Sequence, residues 1–243
     1  MENRIVLNKE IIINNFDSHQ EAIEAVFEKW QTKGYFIVNF LYWASYPLVD
    51  KNEIFAKALR LSDIIFPDGI GLYLYVRFIL RYKLNNLNGT DLNPLFIKEA
   101  GLKNKEIAFY GADKENIKKA AENILRINDK LYFYQDGYSN LDWNKIKRDS
   151  ILFVGLGSPI QEIWVSENIE NIKNKKLLVI TVGGYFDFIS GKYKRAPYLV
   201  RKLKTEWLWR APHCDRKRNF RNLYIFYFII RDFVSIRRKN NIL

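Results

Sequence analysis

Cysteine and histidine are nearly missing from this chain: Cys214, His19 and His213 are all it has. A single thiol allows no intrachain disulfide framework and fits a reducing compartment. Three such side chains are too few for a Cys/His zinc site. Also missing is any run near the ~20 apolar residues that span a bilayer. The amino-terminal stretch MENRIVLNKEIIINN breaks its apolar residues with charge and has no small-residue cleavage site, so no secretory signal is expected. Internal repeats and low-complexity linkers are absent too. Together these absences point to a cytoplasmic protein, free or on the inner face of a membrane.

What is present is globular in composition: 48% hydrophobic and 27% charged over 243 residues. That length buries a full core as one domain with an appendage. The net charge of +12 is unevenly placed. Residues 201–243 hold 12 Lys/Arg against three acids, so the first 200 residues carry only +3. Cationic charge gathered at one end serves a local partner rather than general solubility. The expected division is an α/β domain over residues 1–200 and a basic aromatic appendage over 201–243.

Helical and strand patterns alternate through the body. SHQEAIEAVFEKW opens with a capping box, Ser18 and Glu21, and puts Ala22, Val26 and Trp30 on one face. YFIVN (35–39) reads as a strand. DKNEIFAKALR repeats the capping logic with Asp50 and Glu53 and leads to the strand DIIF. IGLYLYVRFIL (70–80) is apolar nearly all round and predicts a buried helix, and the next helix starts at Asp91. EIAFYGADKENIKKAAENIL, KLYFYQDGY, ILFVGLGSPIQEIWVSENI and LLVITVGGYFDF continue the strand–turn pattern. Strands separated by helices imply a Rossmann-like, largely parallel sheet with helices on both faces. Ligands in such sheets sit beyond the carboxyl ends of the strands. Four glycine-bearing exits would lie there: Pro67–Gly71 (with Gly69), Gly111, Gly155–Gly157 and Gly183–Gly184.

Each exit has two readings. Gly155-x-Gly157 before a helix lets the backbone approach a ligand and aims a helix amino terminus at anions, with Gln161 and Glu162 in the first turns. It is equally a tight turn, and the third glycine of a dinucleotide fingerprint is missing. Asp187, after Gly183-Gly184, can bond ribose hydroxyls or cap a helix. Asp68, in FPDGIG, is either a turn residue or a general base for an attacking hydroxyl. In the second case Asn39, at the end of the preceding strand, is a neighbour for substrate. Four exits with carboxylates along one edge favour an enzyme.

The tail is different in kind. EWLWRAPHCDRKRNFRNLYIFYFIIRDFVSIRRK (206–239) interleaves aromatics with arginines, and LYIFYFII (223–230) is free of charge. This suits a helix lying in an anionic membrane interface. A core-packing helix with a solvated basic face is the plainer alternative. A nucleic-acid surface explains the tail but not the glycine exits.

Taken in order, PDGIG (67–71), NGTDL (88–92), FYGADKENIKKA (109–120), VGLGSPIQEIW (154–164), VGGYFDFISGKYKRAP (182–197) and EWLWR (206–210) resemble the WecG/TagA/CpsF glycosyltransferase family. The resemblance covers about residues 35–221. It implies inverting, metal-independent transfer from a UDP-sugar, with no cofactor beyond that substrate. The implied acceptor is a sugar on a polyprenyl diphosphate at the cytoplasmic membrane face, in cell-surface polysaccharide assembly. On this resemblance Asp68 matches the catalytic base and Asn39 the asparagine of a Thr-x-Asn motif. Gln161 and Glu162 match a Pro-x-Gln-Glu motif, Asp187 the acid after Gly-Gly, and Tyr138 an aromatic near the uracil. Arg195 matches an Arg-Ala-Pro motif, while Arg210, Arg216, Arg218 and Arg221 fall in a basic tail over the acceptor diphosphate and membrane. Expected partners are the UDP-sugar, the lipid-linked acceptor and an anionic membrane, with no nucleic acid; a homo-oligomer is compatible. Two positions depart from the family: Ile37 replaces a threonine and Asn86 an arginine. They leave the donor sugar open. The rival readings are an NAD-dependent oxidoreductase and a nonenzymatic membrane- or RNA-binding module.

Overall fold

Short runs rich in Val, Ile and Phe form the strands, and the amphipathic runs between them form the helices. The computed structural model describes residues 2–193 and 197. The expected boundary at residue 200 and the whole 201–243 appendage lie outside them.

The chain opens with an antiparallel pair, β1 (Asn3–Val6) and β2 (Ile12–Asn15). Helix α1 (His19–Lys33) and strand β3 (Phe36–Tyr42) follow. Next come α2 (Tyr46–Lys51), α3 (Glu53–Arg60) and β4 (Ile64–Asp68). Helix α4 (Ile70–Leu74) continues as a π-helical turn, Tyr75–Ile79, and α5 spans Gly89–Leu102. Then β5 (Ile107–Gly111), α6 (Lys114–Leu125), β6 (Leu131–Gln135) and β7 (Ile151–Gly155) alternate. Helices α7 (Ile160–Glu167) and α8 (Ile169–Asn174), strand β8 (Leu178–Thr181) and α9 (Tyr185–Ile189) complete the described chain.

Strands β3 to β8 form one six-stranded parallel sheet in the order β4-β3-β8-β7-β5-β6. Both faces are covered, so the inner strands β5, β7 and β8 are buried along their whole length and read as apolar runs without alternation. One face, with Phe36, Val38, Phe66, Phe109 and Phe153, packs under α1, α5, α6 and α9. The opposite face divides in two. Ile37, Tyr110, Val154 and Val179 meet α7 and α8, while Leu41 and Ile65 meet α3, α4 and the β1–β2 pair.

Local signals mostly hold. Ser18 accepts from Glu21 N at 3.1 Å and Gly34, at φ 84°, ends α1. Three expectations need correcting. Asp50 is no cap; it lies within α2, and Asn52 caps α3 by accepting from Phe55 N at 3.0 Å. Helix α5 starts at Gly89, capped by Asn88, rather than at Asp91. Residues 70–80 are buried on one side only: Leu72 and Val76 are fully covered, whereas Phe78 is 69% exposed. The β1–β2 pair was not foreseen. Its strands are four residues each and its turn carries Lys9 and Glu10 at positive φ, with no glycine to announce it.

Candidate active site

The strand pairings set a step in the carboxyl edge of the sheet. Gly111 pairs with Gly155 and Val154 with Thr181, so β5, β7 and β8 end almost level. Strands β3 and β4 run on until Tyr42 pairs with Asp68. The chain leaves β3 toward α3 on one face and β8 toward α9 on the other. Between such diverging connections a crevice opens, which is where open α/β sheets hold ligands. Its floor is the level of Thr181; its wall is the β3–β4 lip, with half-buried Asp68 on top.

Trp43 builds that lip. Its backbone N–H donates to Asp68 O at 3.0 Å, carrying the β3–β4 ladder one step past the strands. Its indole lies against Gly69 and Gly71. A Cβ on Gly71 would stand 1.9 Å from Trp43 Cε3, and one on Gly69 2.6 Å from Trp43 Cδ1. Gly69 is further fixed by its φ of 89°. The two glycines that follow Asp68 are thus required by the ring, and the ring in turn fixes the direction in which the chain leaves the sheet after Asp68. Sequence reading missed Trp43, because nothing in YWASY marks one aromatic of the run as the wall of a site.

The other exits separate into two kinds. At Gly111 and Gly155 the backbones crowd: a Cβ on Gly111 would lie 2.3 Å from Gly155 O, and one on Gly155 2.5 Å from Phe186 Cδ2. These glycines answer to packing. Gly157 and Gly183, at φ 78° and 54°, instead face open space. They leave room for a ligand above the floor. Gly184 begins α9, with Asp187 Oδ2 3.7 Å from where a Cβ would be.

Gln161 and Glu162 are buried, at 3% and 1% exposure, rather than turned toward the opening. Gln161 Oε1 accepts from Gly183 N at 2.9 Å, and its Nε2 donates to Glu162 Oε1 at 3.0 Å. The pair therefore ties the start of α7 to the exit of β8 and holds the Gly183 turn open. Burial pushes the Glu162 carboxyl up to about 7, although the Gln161 hydrogen bond pulls the other way.

Asn39 departs from expectation. It lies inside β3, paired with Ile65 and three residues short of Tyr42, so about 10 Å of strand separates its level from that of Asp68. It is 1% exposed; Oδ1 accepts from the Thr181 hydroxyl at 2.6 Å and Nδ2 donates to Ser62 Oγ at 2.7 Å. Its amide knits the floor of the crevice. Ile37 is deeper still, among Ala108, Tyr110 and Val154, where an apolar side chain suits the core. Asn86 is exposed and bonded to Asn88 and Asp91 around the start of α5.

Asp187 is not the helix cap, which is Gly184; it sits in the first turn of α9. Lys192 Nζ lies 3.5 Å from its Oδ1 and 3.7 Å from Asp113 Oδ2, bridging the amino ends of α9 and α6. Tyr138 is 86% exposed, beside Gly137, whose N–H donates to Ala112 O at 2.9 Å. That turn leans on the exit of β5, where a ring is free to meet a ligand. Arg195, Arg210, Arg216, Arg218 and Arg221 lie outside the described residues.

The pattern of the "Glycosyl transferase WecG/TagA/CpsF family" matches residues 8–241. A Bacillus spizizenii N-acetylglucosaminyldiphosphoundecaprenol N-acetyl-beta-D-mannosaminyltransferase is 29% identical over 187 residues, covering 74% of this chain and 72% of its own. The Bacillus subtilis enzyme of the same name is 34% identical, over 66% of this chain and 64% of that one. A Staphylococcus aureus enzyme, again of that name, is 27% identical over 79% and 77%.

Proposed function

The chain belongs to the WecG/TagA/CpsF glycosyl transferase family, and from that premise we propose that it transfers a sugar from a UDP-sugar, with inversion, to a sugar carried on a polyprenyl diphosphate. The observation that carries the mechanism is Asp68 standing on the lip above a floor with open glycine turns. UDP occupies the crevice, its diphosphate against main-chain N–H groups near Gly157 and Gly184 and the amino end of α7, beside the Gly183 turn that Gln161 holds. Tyr138 stacks on the uracil, and Asp187 lies where ribose hydroxyls pass. The acceptor hydroxyl gives its proton to Asp68 while its oxygen bonds to the anomeric carbon from the side opposite UDP. The bond from that carbon to the phosphate oxygen breaks, and its electron pair leaves with UDP. Charge growing on UDP is met by the N–H groups and by arginines of the 195–221 segment, without a metal or resident cofactor. The relatives' names support this acceptor class; Ile37 and Asn86, where the chain departs from the family, keep the sugar itself a question of assay.

The test uses the full chain, a UDP-sugar panel and an acceptor sugar on a lipid diphosphate. One donor should be consumed with release of UDP and a product of inverted anomeric configuration. Asp68→Asn should lower kcat by at least 10²-fold, the usual range for losing a general base, while UDP affinity stays within a factor of about two. Full activity in that variant would remove Asp68 from the chemistry.

A further inference from the structure

The segment that follows Asp68 has an outward face that the reaction does not use. From Gly69 to Thr90 the sequence contains Arg77, Arg81 and Lys83 and no acidic residue. Inward-facing Leu72, Tyr75 and Val76 are buried against the core. Outward, Leu74, Arg77 and Phe78 stand exposed on the helical run, and Arg81, at φ 62°, and Tyr82 are exposed just past its end. Phe78 is 69% exposed, Tyr82 56% and Leu74 36%. Neither Arg77 nor Arg81 is ion-paired among the described residues. Single exposed apolar residues are ordinary, but an aromatic stripe laced with unpaired arginines is the composition of a helix lying in a membrane interface.

We propose that this face is a membrane-docking surface, additional to the cationic tail, that inserts Leu74, Phe78 and Tyr82 among the headgroups of an anionic bilayer and sets Arg77 and Arg81 on their phosphates. The charge of the segment chooses the partner: Arg77 and Arg81, without an ion pair among the described residues, fit anionic lipid, and the aromatics fit the boundary between headgroup and acyl chain. Its place in the fold gives the contact a purpose. The helix begins two residues after Asp68, so docking here lowers the lip of the crevice to the depth at which a lipid-borne diphosphate lies. The purpose, though not the docking itself, rests on the lipid-linked acceptor proposed above. One short face holds a bilayer weakly; joined to the tail it acts as the second of two contacts, and affinity multiplies when both engage.

The experiment compares the full-length protein with Leu74→Ser/Phe78→Ser and Arg77→Glu/Arg81→Glu in flotation with vesicles of phosphatidylcholine, with and without 30 mol% phosphatidylglycerol. These positions are on the surface, so both variants should fold, as unfolding curves would verify. Partitioning onto the anionic vesicles should fall about tenfold in each variant, and the salt dependence should become shallower in the arginine variant, with the tail supplying the remainder. Turnover of a vesicle-borne long-chain acceptor should fall in parallel, while turnover of a short-chain, water-soluble acceptor stays at the parent level. Unchanged partitioning in both variants would overturn the proposal. So would unchanged partitioning joined to a change in molecular mass by light scattering, which would make the face a contact between copies. If the parent protein turned over neither acceptor, the proposed function would fail while the flotation result still judged the docking surface.

Discussion

Glu162 shows how one buried carboxyl ties the site to pH. Its pKa is raised from 4.5 to about 7, chiefly because burial disfavours the charge. Between those values the folded chain keeps a proton that the unfolded chain has lost. Stability therefore falls as pH climbs from about 4.5 to about 7 and is level above that. The full penalty is roughly 3 kcal/mol by the usual conversion of pKa difference to free energy. Glu162→Gln keeps the size and a hydrogen-bonding partner for Gln161 but removes the charge. Its stability gain over the parent should be small at pH 4.5 and should grow through neutrality, read as the difference in urea midpoints at several pH values. A constant difference across that range would mean that Glu162 does not hold its proton. The sequence marks this residue through its motif but not its burial. Only the fold turns Gln161 and Glu162 inward, where Gln161 holds Gly183 and Glu162 holds Gln161. Trp43 makes the same point from the other side. No local signal distinguishes it; only the packing of Gly69 and Gly71 against its ring marks it.

Among the elements, the exposed edge of β4 is guarded by the hairpin that the sequence concealed. Asn14 is 2% exposed, and its Oδ1 accepts from Ile65 N at 2.9 Å. Its neighbour Asn15 accepts from Asn85 N at 2.8 Å and donates to Lys83 O at 3.3 Å. A side-chain amide thus takes the ladder position a further strand would fill, which both satisfies the edge and blocks pairing with another chain. Asn14→Ala leaves Ile65 N buried without its acceptor and should cost about 1–3 kcal/mol, measured by chemical unfolding. Faster exchange of the Ile65 amide should accompany it; an unchanged exchange rate would mean that another group holds that N–H. The helices and inner strands were legible because their signals are local: periodicity, a capping serine, a glycine stop. The hairpin was not, because four-residue strands around a glycine-free turn leave no periodic trace. The 70–80 helix was half legible. Its apolar residues were plain, but which of them face solvent depends on what packs beside it.

The molecule as a whole pairs a nearly neutral α/β body with a strongly cationic carboxyl-terminal stretch. If the crevice is a nucleotide-diphosphate site, UDP at about 100 times its Kd should raise the unfolding midpoint by roughly 5–10 °C, and NAD should not. A shift with NAD alone would return the glycine turns to dinucleotide chemistry. The same assay and the turnover assay, repeated in EDTA, should be unchanged if N–H groups and arginines suffice for the leaving diphosphate; lost turnover restored by magnesium would show that they do not. By itself the sequence determined the class of fold, the order along the chain of the six strands of the main sheet and the position of every glycine exit. Each of those follows from signals within a few residues of one another. The tertiary structure alone decided the strand order, the step between β8 and the β3–β4 lip, and which exits are packed and which are open. It also decided that Asn39 belongs to the floor. Those properties depend on distances between residues far apart in the chain, such as Asn39 and Thr181 or Gly71 and Trp43 across a sheet edge. No local pattern encodes such distances; they arise only when the faces pack and the backbone polar groups find their partners.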